Sequence, residues 1–440
     1  MKFTLALLTA AIALNAAPEV AFKEFKLKNG LRVILSEDHS APTYSIAVTY
    51  NVGSRDEKQG RTGFAHLFEH MMYQGSENVG KGEHLSLIQN NGGNMNGTTS
   101  ADRTMYFETL PANQLDLGLF VEADRMKSLV INQVNLDNQR NAVQEERRLN
   151  YDNRPYGNTF EAVGSTAFDN FAYKHSTIGS MADLNAATVD DVQTFFKLYY
   201  APNNAVIAIV GDFKTEEALK KVEQYFGSLP AQPAPPQPDV AEPEQHAERR
   251  ATIEDHFAQI PRVDLVYKLP AGNSPDIYAL QLVTDVMGGG QSSRLYQAMV
   301  KDQELAVQAQ SFLQPQRGTS LAYFIGFTRP GKEPGTLEKS MEAEIDRLQR
   351  ELITEAELKR AKMKIKTTYY RNLRGSLNRA TDLSENAVFY NDPGLINSEE
   401  GLYQRVTRED VQRVAKKYLT RENRTVLITM PVAAKSSGAK

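Results

Sequence analysis

Two stretches of this chain align without a gap at a separation of 407 − 188 = 219 positions: Thr188-Val189-Asp190-Asp191-Val192-Gln193 onward to Val210, and Thr407-Arg408-Glu409-Asp410-Val411-Gln412 onward to Thr429. Thr, Asp, Val, Gln, Lys, Tyr and Asn recur in register. Each copy reads as a helix feeding an apolar strand, Val206 to Val210 in one and Val426 to Thr429 in the other. A duplication of this kind restricts the chain to two α+β domains of one topology, with strands early, helices in the middle and a last strand returning to the sheet. Between the copies, Pro230-Ala231-Gln232-Pro233-Ala234-Pro235-Pro236-Gln237-Pro238, polar onward to about Glu248, suits neither helix nor central strand. It favours extended polyproline geometry at about 3.1 Å per residue and reads as a linker able to bridge roughly 40 to 50 Å.

Length agrees with two domains: 440 residues at 41% apolar content can bury a substantial core. The net charge of −4 gives no electrostatic case for nucleic acid or an anionic membrane. Lys359, Arg360, Lys362, Lys364 and Lys366 form a local basic run, but within a helical pattern starting near Glu355, so they read as a solvated face. With no Cys, disulfides, thiol redox chemistry and thiolate metal sites are excluded. Met1-Lys2, an apolar run Phe3 to Leu14 and then Asn15-Ala16-Ala17 read as a secretory signal peptide cleaved after Ala16. A buried N-terminal helix or a retained anchor is the competing reading. The run is too short to span a bilayer and no other segment is apolar enough, so the expected location is periplasmic or secreted, with no stable membrane span. The expected division is 1–16 signal peptide, 17–229 N-terminal domain, 230–248 linker and 249–440 C-terminal domain.

Chemistry concentrates in His66-Leu67-Phe68-Glu69-His70. On a helix, residues 66 and 70 lie one turn apart on one face with residue 69 beside them, so both imidazoles can reach one metal while Glu69 reaches water next to it. H-x-x-E-H is the signature of inverted zinc peptidases. Seven His in 440 residues give about 0.1 pair at this spacing by chance, so coincidence explains it poorly. The bland alternative is a helix burying Phe64, Leu67, Phe68 and Met71 whose two His merely hydrogen-bond.

A peptidase zinc needs three protein ligands and an open fourth position. Gln139 to Leu149 reads as a helix offering two adjacent carboxylates, of which only one can face inward. Glu145 shares its face with Asn138, Asn141, Arg148 and Asp152, whereas Glu146 shares the more apolar side with Gln139, Val143, Leu149 and Asn150, so Glu146 is the expected third ligand. His84, the nearest other His, reads as a solvated or capping residue rather than a ligand. Gly288-Gly289-Gly290-Gln291-Ser292-Ser293-Arg294 lacks the Lys of a phosphate loop.

These residues resemble the pitrilysin/insulinase family of zinc peptidases, in the short branch that includes the mitochondrial processing peptidase and bacterial periplasmic peptidases. Gly63 to Met71 is similar to the family's metal-site helix, and Glu146 stands 146 − 70 = 76 residues beyond the second His, the family's spacing to its third ligand. The likeness continues through Gly92 to Thr104, Tyr199 to Ala205 and Gly211-Asp212, covering nearly the whole chain. One position departs: where many relatives carry a second Glu seven residues before the third ligand, this chain has Gln139.

The resemblance implies a zinc endopeptidase with one zinc per chain, held by His66, His70 and Glu146 with Glu69 as general acid/base, and two halves packed as a shell around a chamber. It implies that peptide substrates add as a strand to the segment Asn94 to Ser100, with Asn96 and Gly97 in contact, and that Gly288 to Arg294 is a flexible glycine-rich segment. The second half has no His near Leu282 to Met287, the place equivalent to the metal helix. Family members that work alone supply an Arg and, seven residues later, a Tyr from a companion domain. Here Leu305-Ala306 sets a register that puts Val300 and Val307 in those places, and neither can donate a hydrogen bond. The resemblance therefore implies a heterodimer whose second, related chain carries the Arg and Tyr. Two readings compete: a non-catalytic structural or binding subunit of the same fold, and a zinc hydrolase acting on small molecules.

Overall fold

The computed structural model describes residues 19–432, so the signal-peptide expectation lies outside the described residues. Eleven strands form two sheets among them. The first contains β1 (Lys23–Lys26), β2 (Arg32–Glu37), β3 (Thr43–Tyr50), β4 (Asn94–Thr99), β5 (Thr104–Pro111) and β6 (Ala205–Gly211), in the order β1-β2-β6-β3-β5-β4. The second contains β7 (Arg249–Asp255), β8 (Arg262–Leu269), β9 (Ala306–Gln314), β10 (Ser320–Thr328) and β11 (Arg424–Pro431), in the order β7-β11-β8-β10-β9. With β1 set aside the two orders coincide. In each sheet the last strand returns parallel to the first, β6 on β2 and β11 on β7, while the other pairs are antiparallel. The fold is α+β and duplicated.

The repeated sequence produces repeated local structure. Helix Val189–Tyr199 starts at Thr188, whose side chain accepts from the Asp191 amide while the Asp191 carboxylate accepts from Thr188. Helix Arg408–Tyr418 starts at Thr407 with the same reciprocal pair made by Asp410. Such capping boxes satisfy amides that a helix N-terminus leaves open. At the other end of the repeat Asn204 Nδ2 donates to Tyr199 O at 2.8 Å, and Asn423 Nδ2 donates to Tyr418 O at 2.7 Å.

Packing crosses the division of the chain. On β3, Tyr44, Ile46, Val48 and Tyr50 face the core of the first half, while Ser45, Ala47 and Thr49 present small side chains to the other side. A helix from the second half, Ser376–Phe389, covers that side with Ala380, Leu383 and Ala387. Small residues on both surfaces permit close approach, and Ser45 meets Ser376 at 2.9 Å and Thr49 meets Ser384 at 2.8 Å. Reciprocally, helix Thr159–Ala167 of the first half packs Val163 and Ala167 on the second sheet, against Val266, Tyr323 and Leu427. Thr159 and Thr429 hydroxyls lie 3.0 Å apart there.

No regular structure occurs between residues 231 and 246, yet this stretch is held at intervals rather than hanging free. Gln232 exchanges two backbone hydrogen bonds with the Asn203 side chain. Glu242 accepts from the amides of Asp169 and Asn170 in the first half and from Lys268 Nζ in the second at 2.6 Å. No helix of the described residues is long and apolar enough to cross a membrane.

Candidate metal centre

Helix Phe64–Met71 starts at Gly63, whose φ of +86° is left-handed and where a Cβ would meet Ile178 O at 2.6 Å, so glycine is required. Glycine has no side chain to cap the helix, and the capping comes from Glu57. Its carboxylate accepts from Gly63 N at 2.9 Å and Ala65 N at 2.8 Å, placing negative charge at a helix N-terminus. His175 Nε2 stands 3.0 Å from that carboxylate. Burial pushes the Glu57 carboxyl up despite these partners. Burial also works against a charge on His175, but Glu57 outweighs it and holds the ring above its ordinary range.

Phe64, Leu67, Phe68 and Met71 anchor this helix in the core, which turns His66 and His70 toward helix Gln133–Arg147. Glu146 lies in the last turn of that helix. Its Oε2 is 3.7 Å from His66 Nε2 and 3.5 Å from His70 Nε2. Metal bonds of about 2.0–2.2 Å at tetrahedral angles separate neighbouring donors by about 3.4 Å, close to the two distances from Glu146 to the imidazoles. Among the described residues this is the one group of three His, Asp or Glu whose ligand atoms lie within 4.8 Å of one another. Burial, with His70 close by, holds His66 at about 4. Burial also lowers His70, against the opposing pull of Glu146 and Gln139. Neutral imidazoles are the form that binds metal. Glu145 points away and pairs with Arg148 at 3.0 Å.

Glu69 is buried beside this trio but outside it. Thr99 Oγ1 donates to its Oε2 at 2.5 Å. Burial pushes the Glu69 carboxyl up, Thr99 and Arg103 pull the other way, and Glu146 adds to the rise. Thr99 belongs to β4, the edge of the first sheet, whose outer side has no neighbouring strand among the described residues. Asn96 and Gly97 lie on the same strand. A Cβ on Gly97 would stand 3.0 Å from Glu69 Oε1 and 2.9 Å from Tyr73 Oη, and the Gly97 amide donates to Asn96 Oδ1 at 2.9 Å.

Other expected residues fall elsewhere. His84 is not solvated: it is 0% exposed, 3.4 Å from Ser76 Oγ, and burial with Arg125 nearby holds it at about 4. It is a core histidine. Val300 is partly buried against the second core and Val307 is exposed on β9. Gly288 ends helix Ile277–Gly288 and packs so closely on β9 that a Cβ would stand 2.0 Å from Ser311 N. In the second half the helices equivalent to the metal pair are Ile277–Gly288 and Glu355–Asn372, and there Lys364 Nζ meets Asp285 Oδ1 at 2.5 Å. Lys364 makes this pair with 53% of its side chain still exposed, in keeping with a solvated face. Sequence reasoning missed Glu57, His175 and Thr99, for which spacing along the chain carries no signal.

Known proteins resemble this chain in sequence and fold. A family profile described as Insulinase (Peptidase family M16) matches residues 32–181, and one described as Peptidase M16 inactive domain matches residues 186–365. The zinc protease PqqE of Helicobacter pylori is 32% identical over 414 residues, covering 92% of each chain. A crystal structure of a protease from Helicobacter pylori superposes with a TM-score of 0.89 at 31% identity, over 93% of this chain and all of that one. A probable mitochondrial-processing peptidase subunit beta of Arabidopsis thaliana is 26% identical over 278 residues, 62% of this chain and 51% of that one.

Proposed function

Since the chain belongs to the M16 insulinase family and is a zinc protease, we propose that His66, His70 and Glu146 hold its zinc and that Glu69 is its general acid/base. The observation that carries this reading is the convergence of three ligand atoms beside a carboxylate that is not one of them. When bound, zinc supplies Lewis-acid polarisation of a peptide carbonyl and acidifies water. Glu69 takes a proton from the attacking water and returns it to the leaving amine. Thr99 occupies Oε2, which leaves Oε1 to carry the proton, and burial favours its protonated form.

Peptide adds as a strand to the open edge of β4, where Gly97 clears space over Glu69 and Asn96 releases the Gly97 amide to the incoming backbone. Pairing of this kind is nearly blind to sequence and suits unfolded polypeptides held in a chamber between the halves. The N-terminal sequence supports a periplasmic or secreted location. Val300 and Val307 support a second, related chain that brings an Arg and a Tyr to the site, because loss of one oxyanion donor typically costs about 10² to 10³ in rate.

Purified Glu69→Gln is expected to keep one zinc per chain while losing about 10²-fold or more of peptidase rate. Glu146→Ala is expected to lose zinc and Glu145→Ala to keep it, as read by metal analysis. Wild-type cleavage by Glu69→Gln would remove Glu69 from its role. Assays of the pure chain with and without a co-purified partner test the heterodimer, which full activity of the chain alone would overturn.

A further inference from the structure

Tyr73 follows the metal-site helix by two residues, and its amide donates to His70 O at 3.3 Å, so its place is set by the same helix that presents Glu69. Its ring packs edge-on against Tyr106 at 6.0 Å. Arg125 serves both rings, with its guanidinium carbon 4.4 Å from the Tyr106 centroid and 5.6 Å from that of Tyr73. This arginine is 0% exposed, and Glu122 meets its charge by accepting from Nε at 3.0 Å and from Nη2.

One atom of this packing has no use within it. Tyr73 Oη is buried with no hydrogen-bond partner among the described residues. An unpaired buried hydroxyl costs stability, and phenylalanine would fill the same place without that cost. Across the gap that Gly97 keeps open stands an acceptor. An ideal Cβ on Gly97 would lie 2.9 Å from Tyr73 Oη and 3.0 Å from Glu69 Oε1, so the two oxygens border one space. Thr99 occupies the other carboxylate oxygen, Oε2, at 2.5 Å. A carboxylate oxygen has two lone pairs, so Oε1 can accept from a phenol with one and take the water proton with the other. Burial pushes the Tyr73 phenol up, Arg125 pulls the other way and Glu69 adds to the rise, so the hydroxyl stays protonated and remains a donor.

We propose that Tyr73 is a positioning residue of the reaction, donating its phenol hydrogen to Glu69 Oε1 so that the carboxylate is fixed between two donors, Tyr73 and Thr99. The inference rests on Glu69 as the general acid/base. The terminal torsion of a glutamate is broad and catalytic hydrogen bonds tighten when substrate arrives, so a small turn of the carboxylate closes the contact. Two fixed donors hold the plane of the carboxylate, which aims the remaining lone pair of Oε1 at the water. The charge of Arg125 beside the ring makes the phenol a stronger donor.

Kinetics are read on the full chain with any partner that co-purifies. Tyr73→Phe removes one oxygen and keeps the ring. It is expected to lower kcat about tenfold or more, the value of one hydrogen bond to a charged group, while KM and zinc content stay at the wild-type level. Because the lost hydroxyl is unpaired in the resting protein, the thermal midpoint is expected to stay level or rise. In Glu69→Gln the same substitution is expected to leave the residual rate unchanged, since groups that act through one carboxylate are not additive. Equal fold losses in both backgrounds, a lowered thermal midpoint, or a raised KM at unchanged kcat would each overturn the positioning role. A wild-type kcat in Tyr73→Phe beside a slow Glu69→Gln would overturn it and leave Glu69 in place. Wild-type cleavage by Glu69→Gln would remove Glu69 and Tyr73 together.

Discussion

Gly97 is a glycine because of what stands over it. With Glu69 Oε1 at 3.0 Å and Tyr73 Oη at 2.9 Å from an ideal Cβ, even one methyl group must displace a carboxylate that Thr99 otherwise holds in place. Gly97→Ala is expected to lower kcat/KM about tenfold or more while zinc content stays at the wild-type level, because a small misplacement of a reacting group is costly in rate. Unchanged kinetics would show that Glu69 does not work from this position. His66, Glu69 and His70 were legible because helical spacing alone puts them together, and Glu146 because its face of the helix is the more apolar one. Glu57, His175 and Thr99 were not. They reach the site through the fold, from a turn, a later loop and a sheet edge. His84 misled because Glu83–Asn90 has few apolar residues to mark which side of the helix is buried.

Among elements, helix Ser376–Phe389 has the most exposed task, since it is supplied by one half to close the sheet of the other. Arg379 on this helix donates to Asp38, just beyond β2. Burial pushes the Asp38 carboxyl up, but Arg379 and Ser40 outweigh burial and hold it at about 2, below its ordinary 3.8. A depressed carboxyl stabilises the fold above its ordinary value, and that contribution disappears as pH falls through about 2. A depression of this size is worth about 2 kcal/mol for a side chain as covered as this one. Wild type is therefore expected to exceed Asp38→Asn in stability by about 2 kcal/mol near pH 6, with the difference falling to about 0.4 kcal/mol at pH 2 and vanishing below it, as read by urea unfolding at each pH. A difference independent of pH would place the effect in packing instead. The paired capping boxes at Thr188 and Thr407 were readable from the repeat, because caps are local chemistry. The exchange of helices was not, because Ala380, Leu383 and Ala387 make an apolar stripe that fits any sheet, and nothing in a stripe says which one.

At the scale of the molecule, covalent continuity contributes little to holding the halves together. The serine and threonine contacts of Ser376–Phe389, the reciprocal packing of Thr159–Ala167, and Asp102 with donors from both halves all cross the divide without the linker. A protease site placed between Pro233 and Pro238 and then cut is expected to leave two fragments that co-elute at the size of the intact chain and retain its zinc. Separation on gel filtration would show that the linker, rather than the exchanged helices, maintains the contact.

Reciprocal lending of one helix is the contact of a symmetric homodimer, in which each surface gives what it receives. In a true homodimer every substitution appears twice, so a catalytic centre and the groups that serve it must share a single surface design. Joined into one polypeptide, the two copies answer to different demands. One sets His66, His70 and Glu146 around a point, while at the equivalent place the other sets Lys364 against Asp285. Within one polypeptide the second copy is free to differ, and among the described residues the group of three metal-ligating side chains forms on one side only.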